Sequence, residues 1–237
     1  RSDVTTKTSA TDMVTDMDRA SEALIVEGLA KARADDAVLG EEGASRPGSS
    51  GVRWVIDPLD GTTNYMYGHV GYAVSIAAEI DGRGVVGVVA DASRDEIFSA
   101  RAGGGAHRDG EPITVSGSTD LSSALVATGF SYLPERRARQ ALLLRAVLPE
   151  VRDVRRVGAA SLDLCSVACG RVDGYYEAGL QPWDLAAGAV IAREAGAALE
   201  GLDGPVPESG SVVAATPELL GPLRDLLRSA AAADGDG

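Results

Sequence analysis

Apolar residues recur at helical spacing from about Asp16 to Ala34. Met17, Ser21, Leu24, Ile25, Gly28 and Leu29 fall within one arc there, with Thr15 available as N-cap. The period then shortens. "VLGEEG" reads as a short strand running into acidic turn residues, "ASRPGSSG" as a loop, and "WVID" as an apolar strand. Pro58 has no N–H for a ladder, so this strand is expected to stop there. The following "GTTN" resembles a helix start. Next come "YAVSIAAEI", "GVVGVVAD" and "EIFSARAG", parted by the turns "DGRG" and "ASRD", and "GGGAHRDGEPITVS" adds a Gly-rich hairpin. That order predicts an antiparallel meander.

Past about Ser116 the pattern alternates. "ALVATGF", "VRDVRRVG", "VDGYYEAGL" and "SVVAAT" read as strands. "RRARQALLLRAVL", "SLDLCSVACG", "WDLAAGAVIAREAG" and "PELLGPLRDLLRSAAA" read as helices. The chain is therefore expected to form an α+β half over residues 1–116 and an α/β half over 117–237, sharing one structure. The small, polar "AAADGDG" tail is expected to fray. A first residue other than Met, in "RSDVTTKTSA", leads us to expect a preceding segment.

Composition narrows the function. A net charge of −13 argues against a nucleic-acid surface, since phosphate backbones demand clustered Lys and Arg. An acidic protein still binds a phosphate ester when cations reverse the local field. No apolar run is long enough to span a bilayer. Cys165 and Cys169 lie four apart within one helical turn and read as two buried thiols in a reduced, cytoplasmic setting.

Six carboxylates stand where elements begin or end: Asp12, Asp18, Glu41, Asp57, Asp60 and Asp184. Asp57 and Asp60 in "WVIDPLDGTTNY" are the sharpest, because two carboxylates this close raise one another's pKa unless a cation neutralises them. Hard oxygen donors at strand ends and turns suit Mg²⁺. A surface turn explains a D-P and D-G pair equally well at this point. Other chemistries fail by inventory. His69 and His107 are too few for a His-rich zinc site, and no G-x-x-x-x-G-K-[ST] loop exists. An aspartyl-nucleophile phosphatase would carry D-x-D-G-T, one residue shorter than the D-x-x-D-G-T found here.

Five blocks, "KTSATDMVTDMD", "GEEG", "WVIDPLDGTTNY", "RVGAASLDLCSVACGRVDGYYEAGL" and "WDLAAGAVIAREAG", give the chain a resemblance to the inositol monophosphatase family of Mg²⁺-dependent, lithium-sensitive phosphatases. The resemblance runs from Lys7 to about Gly196. It implies the family's layered αβαβα sandwich, a homodimer and two to three Mg²⁺ ions. It also implies roles. Glu41, Asp57 and the Leu59 carbonyl match ligands of a first ion; Asp57, Asp60 and Asp184 match those of a second, with a third near Glu41. Thr62 and Asp18 match the pair that orients and deprotonates water, with Lys7 and Asp12 in support. Gly61 and Thr62 match the phosphate-facing amides. Gly158, Ala159, Ala160 and Glu177 match positions facing the alcohol half of the substrate. The family often carries Ser or Thr where Ala159 stands, so one hydroxyl near the substrate is lost.

The resulting expectation is a phosphomonoesterase acting on a small phosphate ester, with inositol 1-phosphate ahead of histidinol phosphate. Fructose 1,6-bisphosphate and 3′-phosphoadenosine compounds stand behind these two. A non-enzymatic alternative is an acidic partner of the transcription machinery.

Overall fold

An antiparallel ribbon of β1 (Val4–Thr6) and β2 (Met13–Thr15) leads into α1 (Asp16–Ala32). The structure, a computed structural model, describes residues 4–6, 13–205 and 210–235. Thr15 caps α1 as expected, accepting from the Met17 and Asp18 amides while Asp18 reaches back to the Thr15 amide. The face that α1 buries is not the expected apolar arc. Met17 and Leu24 are exposed, and the buried residues are Asp18 and Glu22. These two carboxylates find backbone N–H partners on neighbouring segments, and that outweighs the pull of scattered apolar side chains.

Chain order then gives β3 (Ala37–Gly40), β4 (Ser45–Arg46), β5 (Val52–Asp60), the short α2 (Thr62–Tyr67), β6 (Ala73–Ile80), β7 (Arg83–Asp91), β8 (Glu96–Arg101), β9 (Ala106–Arg108) and β10 (Glu111–Ile113). These strands form one sheet in the order β10-β9-β8-β7-β6-β5-β3-β4, antiparallel except where β3 runs parallel to β5. The predicted meander is present. Pro58 does not end β5. Pairing with β6 skips from Asp57 to Asp60, an irregularity that absorbs the missing N–H and lets the strand run on to Asp60.

After a 3₁₀ turn at Leu121–Ser123 come β11 (Leu125–Thr128), α3 (Pro134–Val147), β12 (Asp153–Arg155), α4 (Ala160–Ala168), β13 (Gly174–Leu180), α5 (Pro182–Glu194), β14 (Ala198–Glu200), β15 (Gly210–Ala215) and α6 (Pro217–Gly235). The second sheet has the order β12-β11-β13-β15-β14. The alternation reading of this part missed only β14, a three-residue edge strand. Against expectation, α6 continues through most of the small polar tail to Gly235.

Helices α4 and α5 lie between the two sheets, α1 covers β5, and α3 and α6 pack together outside the second sheet. This is the expected αβαβα layering. The inter-sheet core joins Val55, Val89 and Phe98 to Leu164, Val190 and Ile191, and a second core under α6 gathers Val126, Val213, Leu219 and Leu223. Cys165 and Cys169 are free thiols. Among the described residues no helix is long and apolar enough to cross a membrane.

Candidate active site

Helix α1 works as a post to which two acidic segments are tied. Glu22 accepts hydrogen bonds from the Glu42 amide at 2.9 Å and the Ala44 amide at 3.0 Å, which fixes the turn carrying Glu41. Ser21 donates to the Pro58 carbonyl at 2.9 Å, which fixes the Asp57–Asp60 segment. Asp18 is almost fully buried, and both its oxygens are occupied. One accepts from the Thr15 amide and hydroxyl at 2.8 and 2.5 Å, and the other from the Thr62 hydroxyl at 3.0 Å. The same Thr62 hydroxyl lies 3.0 Å from the Leu59 carbonyl. It has one proton and can give it to only one of the two acceptors at a time.

The end of β5 turns sharply. The Leu59 amide donates to Asp57 Oδ1 at 3.0 Å, closing an Asx turn. Gly61 then takes φ of +86°, and a Cβ there would stand 2.6 Å from the Gly71 carbonyl, so this position accepts only glycine. Asn64, in α2, donates to the Gly71 and Val157 carbonyls at 2.7 and 2.8 Å and thereby joins α2 to the segment before α4. Asp60 accepts from both the amide and the hydroxyl of Ser161, at 2.8 and 2.6 Å. Asp184 is the third residue of α5 rather than its N-cap, which is Gln181, and it accepts from the Gln181 amide at 2.7 Å.

These elements enclose a cavity of about 530 Å³ lined by Glu41, Asp57, Leu59, Asp60, Gly61, Thr62 and Asp184. Every residue that the resemblance cast as a metal or phosphate contact therefore faces one volume. Among the described residues Arg136 is the only cationic side chain in its lining. The electrostatic result is severe. Burial, then the charges of Glu41, Asp60 and Asp184, push Asp57 well above the usual carboxylate range. Burial and then Asp60 do the same to Asp184. Asp60 is raised by burial and held back by its hydrogen bonds, led by that from the Ser161 hydroxyl.

Such a set fits a divalent cation in donor type and in charge. The donors are hard oxygens, and a cation removes the repulsion that raises these groups. Among the described residues no three Asp, Glu, His or Cys side chains already stand close enough to hold an ion as a group. That spacing still suits Mg²⁺, which keeps several waters and takes one or two carboxylates together with substrate phosphate.

A smaller cavity of about 140 Å³ shares Asp60, Gly61 and Asp184 with the first and extends to Arg156, Gly158, Ala160 and Glu177. Glu177 accepts from the Tyr175 hydroxyl at 2.7 Å, and burial pushes its carboxyl up to about 7. Ala159 is buried in the inter-sheet core and is not among the residues lining either cavity. Lys7 and Asp12 lie outside the described residues.

Several residues escaped sequence reasoning. Ser161 and Glu22 carry no motif signal, because their partners lie 101 and 20–22 positions away. Asp163 was passed over as a helix residue in "SLDLC". It is fully buried beneath the site with no hydrogen-bond partner on either oxygen. Burial and then the charge of Glu177 push it well above the usual range, and the nearby Gly158 amide offsets this only in small part. Arg136 and Arg156 were not singled out either, and only the tertiary fold brings them to the cavity walls.

Comparison with known proteins bears on the family and the fold. The model of the inositol monophosphatase family matches residues 1–231. The chain is 47% identical over 231 residues to an inositol-1-monophosphatase of Mycobacterium leprae, covering 93% of this chain and 79% of that protein. It is 42% identical over 220 residues to the Nus factor SuhB of Pasteurella multocida, covering 91% and 82%. The crystal structure of the extragenic suppressor protein suhB from Bartonella henselae superposes with a TM-score of 0.91 at 38% identity, covering 95% of this chain and 88% of that one.

Proposed function

The chain belongs to the inositol monophosphatase family of phosphoric monoester hydrolases, and from that premise we propose that it hydrolyses inositol 1-phosphate in a Mg²⁺-dependent reaction. The observation that carries the reading is the meeting of Glu41, Asp57, Asp60 and Asp184 with Thr62 around one cavity. Glu41, Asp57 and the Leu59 carbonyl would hold one Mg²⁺, and Asp57, Asp60 and Asp184 a second, with a third ion near Glu41. Bound Mg²⁺ supplies positive charge that neutralises the phosphate and lowers the pKa of water.

The chain's own groups do the rest. Asp18 is held at one oxygen by Thr15, and its other oxygen accepts the Thr62 proton. A water donating to the Thr62 oxygen can thus pass its proton toward Asp18 as it attacks phosphorus. No phosphoenzyme is required. The Gly61 and Thr62 amides face the phosphate. Glu177, Gly158 and Ala160 border the alcohol half, where a carboxyl near neutrality can accept from or donate to a polyol hydroxyl.

Histidinol phosphate is the runner-up, since ionised Glu177 would pair with its cation. The deciding experiment measures phosphate release, with and without Mg²⁺, from inositol 1-phosphate, histidinol phosphate, fructose 1,6-bisphosphate and 3′-phosphoadenosine 5′-phosphate. Preference for another ester would replace the substrate, and no Mg²⁺-dependent release from any would overturn the phosphatase reading. We place the protein in the cytoplasm as a homodimer, and light scattering at micromolar concentration tests the dimer. Relatives named Nus factor SuhB favour a second reading, in which the acidic surface meets a basic protein of the transcription machinery.

A further inference from the structure

A third cavity, of about 430 Å³, shares no lining residue with the acidic one and lies between α5 and the end of the β6–β7 hairpin. That volume suits a small metabolite. Leu185 and Val190 make its apolar floor. The start of β7 presses close to the helix: a Cβ on Gly84 would stand 2.6 Å from a Val190 methyl and would push that side chain aside. The walls carry charge of unexpected sign. Arg83 enters from the start of β7 and Arg193 from the end of α5. Among the described residues Glu79 is the one carboxylate in the lining, and it is already committed to Arg53, whose Nη2 and Nε stand 2.7 and 2.8 Å from one oxygen.

Among the described residues the Arg83 and Arg193 side chains have no hydrogen-bond or ion-pair partner. Arg193 reaches solvent, but its guanidinium is partly desolvated. That desolvation lowers its pKa, and no acid nearby opposes the shift. In a chain of net charge −13, with 35 acidic residues against 22 basic ones, two unneutralised guanidiniums on one cavity are a local reversal of field. A partly desolvated, unpaired cation costs stability unless an anion joins it.

We propose that this cavity is a second anion site, taking a small dianion of phosphate type between Arg83 and Arg193. Guanidinium forks match the oxygens of such a group, and two of them balance its charge. The first turn of α5 links the site to the acidic cavity. Pro182 and Leu185 line it from the first turn of α5, while Trp183 and Asp184 of that same turn line the acidic cavity. An anion held here bears on the helical turn that carries Asp184.

The test is isothermal titration of inorganic phosphate into the full chain, stripped of divalent cations by a chelating resin, at about pH 8 where phosphate is a dianion. Without cations, the carboxylates of the acidic cavity repel the probe, so the titration reads this site and not turnover. One saturable site is expected. Arg83→Gln and Arg193→Gln should each weaken it about tenfold or more, and the double variant should abolish it. Arg139→Gln, an exposed arginine on α3, should leave it unchanged. The variants' unfolding temperatures establish that each is folded. No saturable binding, or an equal loss in Arg139→Gln, would overturn the proposal, as would a preference for succinate over phosphate. Loss of self-association in the Arg83 and Arg193 variants without any phosphate binding would give this face to a second copy and also overturn it.

Discussion

Glu22→Gln isolates what α1 contributes to the site. The wild-type carboxylate accepts two partly buried backbone hydrogen bonds, from Glu42 and Ala44. A glutamine of the same shape keeps one acceptor oxygen and turns an NH₂ toward the other amide. One charge-assisted bond is lost, at about 1.5–3 kcal/mol, and one amide is left unsatisfied. Partial relaxation of the turn offsets some of this, so a net loss of about 2–4 kcal/mol is expected. For a chain of this size that corresponds to a drop of roughly 4–16 °C in unfolding temperature. The functional consequence follows from the loosened turn: Glu41 is held less firmly, and more Mg²⁺ is needed. Phosphate release should show a raised Mg²⁺ half-saturation, with most of kcat recovered at high Mg²⁺. Glu27→Gln is the control on the same helix, because its partner Lys31 is solvent-exposed and the pair adds little. An unfolding temperature and a Mg²⁺ half-saturation both matching wild type would refute the role of α1 as a post.

Asp57→Asn should lose most turnover. In metal-free buffer it should also unfold at a higher temperature than wild type, because a buried charge repelled by Glu41, Asp60 and Asp184 is removed; near wild-type turnover would sink the bridging role. Glu177 supplies a pH signature: its folded pKa of about 7 lies above the ordinary 4.5, so the native state holds an extra proton between those values. Its favourable contribution is complete below about 4.5 and is lost as pH rises through about 7. Glu177→Gln should flatten that part of the stability–pH curve and lower kcat/KM for the preferred alcohol without moving the Mg²⁺ requirement; an unchanged curve and unchanged kcat/KM would remove Glu177 from the site. Asp163→Asn should be neutral or stabilising above about pH 4, since ionising this buried, unpartnered carboxyl is unfavourable. A fall in unfolding temperature that persists at all pH values would instead reveal a hydrogen bond made by the acid.

The chain by itself determined most of the layering. The apolar stretches "YAVSIAAEI" and "GVVGVVAD", parted by the turn "DGRG", become β6 and β7 because turn residues bound each run. The all-round apolar "WDLAAGAVIAREAG" becomes the helix held between the sheets, a place where no face meets water freely. Asp57, Asp60, Gly61 and Thr62 were legible for a related reason. They lie within one short segment, and their turn chemistry is local.

What only the tertiary structure decided is which polar groups lie beneath the surface. In α1 the periodicity pointed to Met17 and Leu24, yet Asp18 and Glu22 are buried, since their hydrogen-bond partners come from β2, the loop after β3 and α2. Pro58 marks a true break in pairing but not the end of β5, because β6 supplies a partner again at Asp60. Ser161 reaches Asp60 across 101 positions. Burying a carboxylate is unfavourable until such donors arrive, and no pattern within one segment records donors that another segment brings.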